Sequence, residues 1–204
     1  MSTLVRLEGS GARDAVRRLE AKGLVTIGNR EDRGAAFSAE LTDSGTPKTL
    51  NEKQQAALDA IVSADGGTFL IHGVTGSGKT EVYLQVSQAF RQRGKQVLVL
   101  VPEIALTPQL VGRFRARFGD QIAVLHSGLS PADRLKEWRR IRAGEAHIAI
   151  GARSALFAPF TNLGLIVVDE EHDGSYKQDD GVKYNARDLA VVRGAMARCP
   201  VILG

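Results

Sequence analysis

Eight consecutive residues, Gly73-Val74-Thr75-Gly76-Ser77-Gly78-Lys79-Thr80, carry the spacing Gly-x4-Gly-Lys-Thr. Glycines at those positions let the backbone curl until its N–H groups converge on a phosphate, and a helix opening at Lys79 adds the partial positive charge of its N-terminus. In that arrangement Lys79 reaches the β and γ oxygens of a nucleoside triphosphate, and the hydroxyl of Thr80 is a ligand for Mg²⁺. About ninety residues later the apolar run Leu165-Ile166-Val167-Val168 ends in Asp169-Glu170-Glu171-His172. An acid delivered at the end of a strand beside the phosphate loop can hold the same Mg²⁺ through water, which is the role read for Asp169. The adjoining Glu170 then orients and deprotonates a water for in-line attack on the γ-phosphate.

That chemistry requires a scaffold that ends two strands side by side. From Leu50 onward the sequence alternates helical and strand patterns: helices over 52–64, 79–93, 105–118, 131–143 and 186–197, and strands over 67–72, 96–101, 121–125, 147–151, 163–168 and 200–203. The strands are unbroken aliphatic runs such as Val97-Leu98-Val99-Leu100-Val101, as expected where helices cover both faces of a sheet. The fold class is therefore α/β, a doubly wound parallel sheet, over residues 46–204. Residues 1–45 read differently. A helix from Ala12 to Lys22 stops at Gly23, and two strand-like stretches flank the charged turn 29–34, which is the pattern of the last helix and wing of a winged-helix unit. An N-terminal extension folded on the main domain is the alternative. The segment 42–48, rich in Asp, Ser, Gly, Thr and Pro, is the expected linker.

Composition narrows the setting. The longest aliphatic run is five residues, far short of the roughly 20 that cross a bilayer, and the first residues do not read as a secretion signal, so a cytoplasmic location without membrane contact is expected. A single cysteine, Cys199, excludes an internal disulfide framework and a multi-cysteine zinc site within these residues. The net charge is +4, and residues 1–45 hold equal numbers of acidic and basic side chains, so the excess belongs to the remainder. Basic residues bunch at Arg113, Arg115 and Arg117 and again from Arg134 to Arg142. Such runs are more often solvated helix faces than binding sites, and the charge alone argues weakly for nucleic acid.

The Asp-Glu-Glu-His box resembles the DExH box of superfamily 2 helicases. Val101 through Gln109, His126 through Ser130, Gly151 through Phe160 and Asp169 through Asp188 are similar, more narrowly, to the primosomal N′ family of replication-restart helicases. The likeness covers nearly all of 48–204. It implies a RecA-like P-loop NTPase lobe preceded by a partial winged-helix segment, ATP and Mg²⁺ as cofactors, and 3′→5′ movement on forked or single-stranded DNA, with primosome and single-strand-binding proteins as partners. Gln54 matches the residue that reads the adenine edge. Thr107, Pro108, Gln109, Ser127, Gly128, Arg153 and Ser154 match segments that line the DNA track. Tyr176, Lys177 and Tyr184 match a loop that links DNA contact to hydrolysis, and His172 matches a bridge between the two sides. Helix capping by Thr107 or Ser130, an ordinary surface role for the tyrosines, a hydrogen-bonding loop role for His172 and a solvated helix position for Gln54 are the alternatives from the residues themselves. The second motor lobe, its arginine finger and the family's zinc-binding cysteines are expected outside this sequence, which reads as a fragment that turns ATP over poorly alone. A nucleotide-gated DNA-binding module and another superfamily 2 translocase are the competing functions.

Overall fold

A computed structural model describes residues 18–20, 22–23, 45–74 and 76–204. The chain divides into two compact units, Met1–Ala35 and Ala36–Gly204. The expected winged-helix helix and wing, and the boundary near residue 45, lie almost entirely outside the described residues.

The larger unit runs α1 (Glu52–Val62), β1 (Thr68–Leu70), α2 (Lys79–Gln92), β2 (Gln96–Leu100), α3 (Pro108–Phe118), β3 (Ile122–Leu125), α4 (Pro131–Arg142), β4 (Ile148–Gly151), β5 (Leu163–Val168), β6 (Lys177–Gln178), β7 (Tyr184–Asn185), α5 (Ala186–Ala197) and β8 (Val201–Leu203). Six strands form one sheet in the order β1-β8-β5-β2-β4-β3, and every pairing in it is parallel. Period-two alternation assigns the two faces. Val97, Val99, Val101, Leu165 and Val167 join the apolar layer under α1, α2 and α3. Leu98, Leu100, Ile166 and Val168 join the layer under α4 and α5. Both faces are thus covered, which is why these strands carry no polar alternation.

Local chemistry sets the helix starts. Asn51 caps α1 with a capping box that includes Gln54. Thr107 caps α3 and Ser130 caps α4, each followed by Pro at the first helical position. The expected helix over 105–118 therefore begins only at Pro108. A residue preceding proline is pushed out of the α region, and Glu103–Ala105 forms a separate 3-10 turn. A short antiparallel hairpin, β6 with β7, follows β5 and was not expected from the sequence.

The basic clusters are partly consumed by structure. Arg117 donates to Glu81 and to the Thr46 carbonyl, which straps the segment preceding α1 to the lobe. Arg140 donates to Glu137, to the Ile122 carbonyl and to the Asp120 carbonyl.

Candidate nucleotide site and the carboxyl edge of the sheet

Parallel sheets collect ligands where their strands end, because loops and helix N-termini converge there. The segments that follow β1, β2, β3, β4 and β5, loops together with the first residues of α2 and α3 and the β6–β7 hairpin, carry the described candidate residues other than Gln54, which sits on the first turn of α1.

The loop after β1 has the backbone its glycines allow. Gly76 and Gly78 have φ of 84° and 90°, the left-handed region that side chains avoid. Gly78 is also where α2 begins. A β-carbon on Gly73 would stand 2.5 Å from Ser77 Oγ, and one on Gly78 would stand 2.6 Å from Gln54 Nε2, so a side chain at either position would push those side chains aside. Thr75 is outside the described residues. Lys79 Nζ donates to the Gly73 carbonyl at 2.8 Å and stands 3.9 Å from Glu170 Oε1. The amine therefore lies between the loop and the acidic box. Gln54 uses both ends of its amide: Nε2 donates to the Ser77 carbonyl at 3.0 Å, and Oε1 accepts from Asn51 N–H at 3.0 Å. A cleft of about 290 Å³ opens here, with Gln54, Lys53, Ser77 and Lys79 in its lining.

Asp169 continues from β5, its N–H donating to the Leu100 carbonyl at 2.9 Å. Two buried tyrosines hold it. Tyr83, from α2, donates to Asp169 Oδ1 at 3.2 Å, and Tyr176, from the loop beyond, donates to the Asp169 carbonyl at 2.6 Å. Burial raises the Asp169 carboxyl above the usual carboxylate range, while the Tyr83 hydrogen bond and Lys79 pull it back. Burial, reinforced by Asp169, pushes the Tyr83 phenol far up, so it remains a donor. Burial and then Asp169 do the same to Tyr176.

Glu170 has a φ of 48°, a conformation a glutamate adopts at some cost and one that clusters at functional sites. His172 is mostly exposed and puts Nε2 at 3.7 Å from Glu170 Oε2. Glu171 is turned away from the nucleotide loop. Its N–H donates to the Gly204 carbonyl at 3.0 Å, and its carboxylate accepts from Arg187 Nη1 at 3.1 Å.

The candidate DNA residues divide into exposed and structural ones. Thr107, Pro108, Gln109, Ser127, Gly128 and Ser154 are exposed at the carboxyl edge. Thr107 spends its hydroxyl on capping Leu110 N–H, and Ser127 donates to the Glu103 carboxylate. Lys177 is exposed and pairs with Asp179 at 3.3 Å. Tyr184 is half-buried, edge-on to Phe157 at 5.4 Å. Arg153 is turned inward, donating to the carbonyls of Lys177 at 2.5 Å and Ser175 at 3.4 Å, so it ties the loop after β4 to the loop after β5. Tyr176 departs from the expected stacking role. It is only 1% exposed, and its ring has no face open to a base. A sequence window of Asp, Gly, Ser, Lys and Gln reads as a solvated loop, whereas the ring has folded under Asp169 into the layer below α5.

Sequence reasoning missed Tyr83, Arg187 and Arg193. Arg193 donates to the carbonyls of Leu156 and Ala158, stands 5.2 Å over the Phe160 ring, and so fixes the loop after β4 against α5. Only the placement of Tyr83 one helical turn beyond Thr80 could have flagged it.

With this geometry known, the relatives are informative. Replication restart protein PriA of Bacillus subtilis (strain 168) is 46% identical over 193 residues, covering 93% of this chain and 24% of that protein. Replication restart protein PriA of Treponema pallidum (strain Nichols) is 53% identical over 156 residues, covering 76% of the chain and 24% of that protein. The chain thus spans about a quarter of the length of these relatives. Among solved structures, the Pyrococcus furiosus Hef helicase domain superposes with a TM-score of 0.56 at 22% identity, covering 76% of this chain and 32% of that one, a likeness of fold. The family model described as DEAD/DEAH box helicase matches residues 51–201, from the cap of α1 to the first residue of β8. The loop after β1 and the acidic box after β5 both fall inside that match, and the chain belongs to the DEAD/DEAH box helicase family.

Proposed function

We propose that this lobe binds ATP with Mg²⁺ and, within a longer protein, drives 3′→5′ movement on forked or single-stranded DNA during primosome assembly and the restart of stalled replication forks. The observation that carries the reading is the convergence of Lys79 and Glu170, 3.9 Å apart, from two loops ninety residues apart in sequence. The replication role is supported by the two relatives, both of them replication restart proteins named PriA.

The residues fit their ligands. The left-handed backbone of Gly76 and Gly78 suits a loop that curls around phosphate, and Lys79 supplies the cation for the β and γ oxygens. Thr80 and Asp169 form an all-oxygen donor set suited to Mg²⁺. The cation supplies neutralisation of the charge that develops on the phosphates. Glu170 takes the proton from the attacking water at its carboxylate, and His172 beside it links that carboxylate to the DNA side. Gln54 lines the cleft in which an adenine can rest. Ser154 offers a hydroxyl, Gln109 an amide, and Thr107, Pro108, Ser127 and Gly128 an exposed surface to the DNA backbone at the carboxyl edge, with Lys177 and Tyr184 beside them. Arg153 serves from below, holding that surface. A cytoplasmic setting and contact with primosome and single-strand-binding proteins belong to the same reading. Among the described residues no helix is long and apolar enough to cross a membrane.

The test is DNA-stimulated ATP hydrolysis by the full-length protein. Lys79→Ala should lower the stimulated rate by roughly a hundredfold or more, as expected when a preorganised cation is removed from a developing charge. Unchanged hydrolysis in that variant would sink the proposal.

A further inference from the structure

Besides Lys79, which faces Glu170, the phosphate-loop helix sends Tyr83 across to the acidic box. Its ring is 1% exposed, and its hydroxyl meets Asp169 Oδ1 at 3.2 Å. It lies three residues after Thr80 on α2, the spacing that puts two side chains on one helix face. One short helical stretch therefore presents both the Thr80 hydroxyl and a donor for the carboxylate opposite. The space around the phenol is closed as well: a β-carbon at Gly204, beyond β8, would overlap the Tyr83 hydroxyl. Gly204 itself is pinned, its N–H donating to the Val168 carbonyl and its carbonyl accepting from Glu171 N–H, each at 3.0 Å. The main chain of Asp169 is held separately by Tyr176.

We propose that Tyr83 is a positioning residue for the magnesium site: by occupying Oδ1 of Asp169 it fixes the carboxylate's rotation, so that the other oxygen is presented to the cation shared with Thr80. A buried phenol needs a hydrogen-bond partner in any case. What distinguishes positioning from packing is that the partner chosen is the metal-facing carboxylate. Side chains that orient a metal ligand from behind tune metal affinity without touching the metal. Gly204 acts in the same unit, because any side chain there displaces the hydroxyl.

This inference rests on the ATP·Mg²⁺ reading, and one experiment separates the two. Binding of a fluorescent ADP analogue to the full-length protein is titrated with Mg²⁺ and repeated in EDTA, for the wild type, Tyr83→Phe, Gly204→Ala and Lys79→Ala. In Tyr83→Phe the Mg²⁺ concentration that half-maximally tightens nucleotide binding should rise about tenfold, the low end for outer-sphere partners of metal ligands, with affinity in EDTA unchanged. Gly204→Ala, which keeps the phenol but moves it, should shift the Mg²⁺ curve in the same direction. Lys79→Ala should weaken binding both with and without Mg²⁺. A wild-type Mg²⁺ curve in Tyr83→Phe, or an equal loss with and without Mg²⁺ that marks a packing defect, overturns the role of Tyr83 and leaves the nucleotide reading intact. Failure of the wild type to bind nucleotide overturns both.

Discussion

Gln54 Nε2 donates to the carbonyl of Ser77 at 3.0 Å, so the first turn of α1 is braced against the phosphate loop. The other end of the same amide closes the helix cap on Asn51. Reading an adenine edge would draw on groups already engaged, so two roles are in competition and make different predictions. If the amide acts as a brace, Gln54→Ala weakens ATP and GTP binding alike, by about fivefold for the loss of one ordinary hydrogen bond. If it reads the base, only ATP weakens. We expect the ATP-selective loss to be the smaller part, and competition binding with the two nucleotides decides it.

Glu81 and Arg117 form an ion pair at 3.1 Å with side-chain exposures of 12% and 6%. Glu81 also accepts from Lys48 N–H at 3.1 Å and from Gln85 at 2.8 Å, so one carboxylate gathers α2, α3 and the irregular segment ahead of α1. Removing it strands a buried guanidinium. Glu81→Ala should destabilise the lobe by about 3 kcal/mol, and the double variant Glu81→Leu with Arg117→Leu should recover most of that loss. Urea denaturation of both variants checks the pair; a single variant no worse than the double would refute it.

Gln96 opens the central strand β2 and is 2% exposed. Its amide nitrogen donates to the carbonyls of Ile141 at 2.7 Å and Ala146 at 3.2 Å, and its oxygen accepts from the N–H groups of Thr161 at 2.9 Å and Asn162 at 3.1 Å. Gln96→Leu would leave those main-chain groups unpaired in a dry interior, at about 3 kcal/mol. The prediction is a lower denaturation midpoint with little change in nucleotide affinity, because the amino end of β2 is remote from the phosphate loop.

Cys199 is buried, and burial pushes its thiol up to about 11. At neutral pH on the order of one molecule in ten thousand then carries the reactive thiolate. A chromogenic disulfide reagent should find this cysteine inert in the native protein and reactive in denaturant. Rapid native labelling would contradict its placement under α5.

The sheet was legible because its strands are aliphatic runs too dense to be anything but doubly covered, as Val97–Val101 and Leu165–Val168 show. The phosphate loop was legible because glycine, lysine and threonine at fixed intervals serve one chemistry. What escaped was set by tertiary contacts that no local pattern encodes. Tyr83 sits between Val82 and Leu84 and reads as one more apolar helix residue until the strand carrying Asp169 arrives opposite it. Tyr176 lies in a polar window and reads as exposed, and Arg117 lies in a basic run and reads as solvated. The hairpin of β6 and β7 was invisible because two-residue strands carry no period. Residues 1–17 and 24–44 contain the expected wing, and that expectation stands outside the described residues.

The phosphate loop hangs from β1, a three-residue strand at the rim of the sheet that is hydrogen-bonded, among the described strands, to β8 alone. Thr68 and Val201 are partners across more than 130 residues of intervening chain. Contacts of such long sequence separation form late, because the loop they close must be ordered first. During synthesis, then, the strand that carries the nucleotide loop leaves the ribosome well before the strand that anchors it. Nucleotide capture by stalled nascent chains should appear only once Val201–Leu203 have emerged, so the loop's grip on nucleotide depends on a strand made more than 130 residues after the one it hangs from.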